Sequence, residues 1–154
     1  AQLSRRPRSR GRSCFGKGPA LGSRQAVMTN TPAALIHPRI LLAEDDQAMR
    51  QFLASALTRA GFEVTAVADG MDALTRLERE LYDLLLADIV MPGIDGIEVA
   101  RRAMRADPDL KVLFITGFAA VSVNAKQQMG ESRVLSKPFH LRELVDNINR
   151  ILAA

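Results

Sequence analysis

From Arg39 onward the chain alternates short, wholly apolar runs with longer stretches whose apolar residues recur at helical spacing. Ile40-Leu41-Leu42-Ala43, Leu84-Leu85-Leu86-Ala87 and Val112-Leu113-Phe114-Ile115 are apolar on every side and are followed by turn or polar residues. Such runs predict strands buried on both faces of a parallel sheet. Phe62–Val67 alternates as a strand, and Val134-Leu135-Ser136 makes a fifth. Between them, Met49, Phe52, Leu53, Ala56, Leu57 and Ala60 form one helical stripe, closed by Gly61. Further stripes are Ala73, Leu74, Leu77 and Leu81 after Gly70, and Ile97, Val99, Ala100, Ala103 and Met104 after Gly96. Asp107-Pro108-Asp109 breaks the latter, and Leu141, Leu144, Val145, Ile148, Ile151 and Leu152 make the last stripe. The run AAVSVNAKQQMGES, between Gly117 and Arg133, has β-branched residues and no clean stripe, which predicts a short or irregular helix.

Five strand–helix alternations with short connections predict an α/β fold: a doubly wound, five-stranded parallel sheet with helices on both faces, flavodoxin-like in plan. No apolar run reaches the roughly 18–20 residues of a membrane span, because Asp83 and Asp88 bound the longest one.

The whole-chain net charge of +4 misrepresents this folded part. Residues 1–38 hold seven of the 21 basic residues (Arg5, Arg6, Arg8, Arg10, Arg12, Lys17, Arg24) and no acid, which leaves 14 basic against 17 acidic residues in 39–154. The first 38 residues, rich in Arg, Ser, Gly and Pro, are expected to form a disordered basic extension. Nucleic-acid binding, an organellar transit segment and translation upstream of a true start at Met28 all remain open for it. The single cysteine, Cys14, excludes an internal disulfide and suits a reducing compartment.

The chemistry lies at the strand ends. Strand one ends on Glu44-Asp45, strand three on Asp88, strand four on Thr116 and strand five on Lys137. In a doubly wound sheet these ends converge on one edge, where ligands bind. Several carboxylates gathered there repel one another and call for a cation, and hard oxygen donors suit Mg²⁺. A lone Asp after a strand is more often a helix cap; five polar groups gathered on strand ends are another matter. His37 and His140 lack partners at metal-binding spacing, the methionines read as core fillers, and Arg101, Arg102 and Arg105 read as a solvated helix face.

The set Glu44-Asp45, Asp88, Thr116 and Lys137-Pro138-Phe139 resembles the receiver domain of two-component response regulators (CheY-like) over residues 39–154. The resemblance implies Asp88 as phosphoacceptor, with Asp45, Asp88 and the Val90 carbonyl as Mg²⁺ ligands and Glu44 acting through water. It implies that Thr116 and Lys137 hold the phosphoryl oxygens, and that the Lys137–Pro138 bond is cis. It further implies a histidine kinase or histidine phosphotransferase as donor and no enzymatic turnover beyond self-catalysed transfer and acyl-phosphate hydrolysis.

Two features depart from the receiver pattern. Val134 stands where many receivers carry an aromatic switch, so output is expected to use the segment after Gly117. Val90 and Phe118, two residues past Asp88 and Thr116, cannot orient an attacking water, which predicts slow self-dephosphorylation.

The stretches ILLAEDD, LLLADIVMP, DGIEVARRA, LFITGFAA, VLSKPFHL and ILAA resemble the CpdR type of single-domain receiver. That group is implied to prime substrates for the ClpXP protease when unphosphorylated, in the bacterial cytoplasm, with placement at a cell pole left open. Ala153-Ala154 resembles the small apolar tails that such unfoldases engage, although a frayed helix end reads the same way. A haloacid dehalogenase-like phosphatase fits less well: it needs Asp-x-Asp on its first strand, whereas here Val90 holds the third position and the strand is the third.

Overall fold

The computed structural model describes residues 37–130 and 133–154. Expectations for residues 1–36 therefore lie outside the described residues. Five strands, β1 (Arg39–Ala43), β2 (Glu63–Val67), β3 (Leu84–Asp88), β4 (Lys111–Thr116) and β5 (Val134–Ser136), form one sheet. All pairs are parallel, in the order β2-β1-β3-β4-β5. Five helices alternate with them: α1 (Gln47–Arg59), α2 (Gly70–Arg79), α3 (Gly96–Ala106), α4 (Ala119–Met129) and α5 (Leu141–Ala153). This is the α/β plan that the apolar runs predict.

Both faces of the sheet are covered, which is why the central strands are apolar throughout. Leu41, Leu85, Val112 and Phe114 face α2, α3 and α4, packing with Ala73, Val99, Ala100, Ala103 and Ala125. Their neighbours in sequence, Ile40, Leu42, Leu84, Leu86, Leu113 and Ile115, face α1 and α5, packing with Leu53, Leu57, Leu144 and Ile148. The first three helices start where aspartates cap them: Asp46 accepts from the Ala48 and Met49 N–H groups, Asp69 from Asp72 and Asp95 from Glu98.

Four expectations need correction. The segment after Gly117 is a regular 11-residue helix, α4, and is neither short nor irregular. It lacks an apolar stripe because only Ser122 and Ala125 on it are buried, and Ser122 is held to β5 by a 2.5 Å hydroxyl–hydroxyl hydrogen bond with Ser136. Phe52 does not join the core stripe of α1 but is 54% exposed. Met71, at the start of α2, is likewise exposed and fills no core gap. Leu81 lies past the end of α2, half-buried in the turn into β3.

At the end of the sheet where β1 begins, Arg39 ties the strand to the turn before β3. Its guanidinium donates to the Leu81 carbonyl at 2.8 Å and to Glu80 at 3.1 Å, and it lies 4.9 Å from the centre of the Tyr82 ring. Tyr82 donates to Glu80 at 2.6 Å, and that bond, with the Arg39 charge, holds the Glu80 carboxyl below its usual range. Arg39→Ala is expected to cost about 1–2 kcal/mol, read as a lower urea midpoint with an unchanged denaturant slope; an unaltered midpoint contradicts the clamp.

Candidate phosphoacceptor site

Parallel strands deliver their carboxyl ends to one edge, and there the structure brings Glu44, Asp45, Asp88 and Lys137 together. Glu44 follows β1 directly and is fully buried, Asp88 ends β3 and is 6% exposed, and Asp45 faces solvent. One carboxylate oxygen from each of the three lies within 4.8 Å of the others. Lys137, the residue after β5, reaches back across the edge: its Nζ is 3.1 Å from Asp88 Oδ2 and 3.2 Å from Glu44 Oε1. The other oxygens are also held. Val90 N–H donates to Asp88 Oδ1 at 3.1 Å, and Asp46 N–H donates to Glu44 Oε2 at 3.2 Å.

The electrostatics follow from this crowding. Burial lifts the Glu44 carboxyl to about 7; facing Asp88 adds to the rise, while the Asp46 N–H and Lys137 oppose it. Burial works against the Lys137 ammonium, but hydrogen bonds and charge from Asp88 and Glu44 outweigh it and hold its pKa above the ordinary value. Two carboxylates share the one ammonium and the Asp45 carboxylate stands close to both, so an excess of negative charge remains on converging hard oxygens. That donor set fits Mg²⁺ in chemistry and in charge.

Thr116 ends β4 on the same edge and is fully buried. Its hydroxyl oxygen accepts from Phe118 N–H at 3.2 Å, at the start of α4, while its carbonyl accepts from Lys137 N–H at 2.8 Å. Val90 enters the site through its N–H. The Val90 and Phe118 side chains are both exposed beside it. The Lys137–Pro138 peptide bond is cis. His140 is an exposed residue at the start of α5.

One contributor escapes sequence reasoning. Arg50, placed by periodicity on the polar side of α1, donates to the Glu44 carbonyl at 2.8 Å and to that of Asp45 at 3.4 Å. It fixes the turn that presents both acids. The only signal for it is an arginine in the first turn of the helix that follows the acidic trio.

A buried carboxylate on the central strand, flanked by two acids from β1 and a lysine from β5 in a sheet of order 2-1-3-4-5, defines a phosphoacceptor module. Residues 40–149 match the response regulator receiver domain, and the chain belongs to that family: it is a phosphoacceptor rather than an enzyme. Among relatives, it is 57% identical over 117 residues to the response regulator receiver protein CpdR of Brucella abortus, covering 75% of this chain and 98% of that protein. The crystal structure of a response regulator receiver protein from Sinorhizobium medicae superposes with a TM-score of 0.71 at 35% identity, over 78% of this chain and 98% of the other. The response regulator TrrA from Thermotoga maritima, solved in complex with Mg²⁺ and beryllium fluoride, gives a TM-score of 0.66 at 27% identity, over 74% and 98% of the two chains. Among the described residues no helix is long and apolar enough to cross a membrane.

Proposed function

We propose that Asp88 accepts a phosphoryl group from the phosphohistidine of a histidine kinase or histidine phosphotransferase, and that the unphosphorylated chain acts as an adaptor for ClpXP proteolysis in the bacterial cytoplasm. The observation that carries the first half is the Lys137 ammonium set between Asp88 and Glu44 beside Asp45. An Asp88 oxygen attacks phosphorus, the P–N bond breaks, and the imidazole leaves with the electron pair and regains a proton. Charge accumulates on the three equatorial oxygens, where Lys137 and the Thr116 hydroxyl can meet it. Asp45, Asp88 and the Val90 carbonyl would hold Mg²⁺, with Glu44 acting through water, and the ion would supply further positive charge at those oxygens.

Transmission runs through α4. The Thr116 hydroxyl oxygen accepts from Phe118 N–H, so a shift of that hydroxyl toward a phosphoryl oxygen pulls on the start of α4, which no side chain caps. The helix buries only Ser122 and Ala125, and the Ser122–Ser136 bond fixes its middle. Beside it lies a groove of about 580 Å³ whose lining includes Val134, Leu135, Ser136 and Pro138. Because Val134 replaces the aromatic of many receivers, the helix itself is the moving part of this reading. The likeness to CpdR supports the protease half.

The test combines purified chain, Mg²⁺, a phosphohistidine donor and ClpXP with candidate substrates. The expected result is labelling of the chain, a label that outlasts seconds because Val90 and Phe118 offer no group to orient water, and degradation stimulated only before labelling. Label without any response in degradation removes the adaptor half. Failure of every competent donor removes the phosphoacceptor half.

A further inference from the structure

The backbone of the phosphoacceptor is packed against a glycine, more tightly than backbone approaches any other glycine of the described chain. Gly96, the first residue of α3, is buried. A Cβ placed on it would overlap the Asp88 carbonyl oxygen, and would stand only 3.0 Å from both the Asp88 carbonyl carbon and Ile89 Cα. By contrast, a Cβ on Gly117, which also borders the site, would meet only the Lys137 side chain at 3.7 Å, an ordinary contact. Nor does φ explain Gly96: the positive-φ glycines are Gly61, Gly93 and Gly130. The requirement at 96 is absence of volume, imposed by backbone that cannot rotate away as a side chain can.

That backbone is held from both sides. Gly96 N–H donates to the Ile89 carbonyl at 2.9 Å, closing the loop that leaves the site, and Ile89 N–H donates to the Ile115 carbonyl of β4 at 2.9 Å. Farther along the loop, Ile94 fills the space over Gly70, where a Cβ would stand 2.4–2.9 Å from Ile94 and Val99 atoms: it would crowd the Ile94 side chain and would lie 2.9 Å from the Ile94 carbonyl. Asp88 and Val90, which give the site a carboxylate and an N–H, thus sit on a segment seated against α3 at a single residue without a side chain.

We infer that Gly96 is a positioning residue for phosphoryl acceptance: its bare Cα lets the Asp88–Ile89 peptide seat against α3, and this sets where the Asp88 carboxylate stands relative to Lys137, Glu44 and Asp45. The inference rests on the phosphoacceptor reading of Asp88. A methyl group at 96 must push the peptide outward by a sizeable fraction of an ångström, and displacements of about 1 Å at reacting groups cost rate steeply.

The experiment compares wild type, Gly96→Ala and Leu144→Ala, using radiolabelled acetyl phosphate and saturating Mg²⁺, with rates normalised to the folded fraction of each sample. Leu144 is a fully buried core residue of α5, away from the site, so its truncation lowers stability without touching Asp88. An osmolyte keeps the variants folded. The expected result is a rate about tenfold or more below wild type for Gly96→Ala alone, with a shifted carboxyl carbon resonance for Asp88 that Leu144→Ala leaves in place. Equal slowing in both variants, or wild-type speed in Gly96→Ala, overturns the inference. So does a Gly96→Ala chain that stays unfolded in osmolyte, because the residue then serves the fold and not the site. A wild type that takes no label under any condition instead removes the phosphoacceptor reading, and the inference with it.

Discussion

Asp88→Ala is expected to abolish phosphoryl uptake while leaving the apo protein about as stable as wild type. The loss of uptake is complete because no second carboxylate occupies its position: Glu44 is fully buried and Asp45 sits on the solvent side. Stability is a separate matter. In wild type two buried carboxylates share Lys137, with distances of 3.1 and 3.2 Å. Removing Asp88 leaves Lys137 paired with Glu44, so no buried charge is stranded. The variant also loses the like-charge repulsion that helps raise Glu44. The lost Val90 N–H bond and the lost Lys137 contact offset that gain, and a net change within about 1 kcal/mol is expected. Under the adaptor reading this variant primes degradation with and without donor, so one protein separates switch from output. A labelled Asp88→Ala chain overturns the assignment of the acceptor.

Lys137→Met is expected to differ in stability: labelling again falls, but here the apo fold weakens. Methionine keeps most of the apolar length of the lysine but leaves Glu44 and Asp88 facing each other without a cation. Breaking a buried ion pair from one side costs about 3–5 kcal/mol, and because the Lys137 side chain is 21% exposed the lower end applies, about 3 kcal/mol. Adding Mg²⁺ should return much of that loss, since a dication relieves the same repulsion, and the gain in melting temperature with Mg²⁺ should exceed that of wild type. Phosphoryl uptake at saturating Mg²⁺ should still fall about a hundredfold, because the ammonium aimed at Asp88 is gone. A Lys137→Met chain as stable as wild type in chelator would show that the ammonium does not bind the two acids together.

The fold was legible because both faces of the sheet are covered. Ile40 and Leu41 point to opposite sides, yet each meets a helix, so the strands read as unbroken apolar runs that helices rarely imitate. The acidic half of the site was legible for a related reason: a charged residue directly after such a run can only stand at the sheet edge, and parallel strands put all those edges together. What escaped depends on contacts that leave no periodic mark. The middle of α4 is secured by one hydroxyl pair, Ser122 and Ser136, 14 residues apart, so its sequence carries no stripe and reads as irregular. Arg50 lies among polar residues of α1 and reaches backward to carbonyls, a partner that side-chain patterning cannot reveal. Phe52 reads as core by spacing alone, but its place on the helix faces solvent. The orientation of the Thr116 hydroxyl toward Phe118 was equally unreadable, since either neighbour of that strand end could claim it.

The strict parallelism of the sheet has a practical corollary. Every strand starts at one pole of the domain and finishes at the acidic one, and Arg39 opens β1 at the starting pole, five residues of extended chain from Glu44. At about 3.3 Å per residue the two ends stand roughly 17 Å apart. A surface tether or fluorophore attached at that starting pole therefore leaves the carboxylate edge open to a donor. Immobilised chain can take up label, be washed free of the donor, and be presented to a protease with its phosphorylation state fixed beforehand.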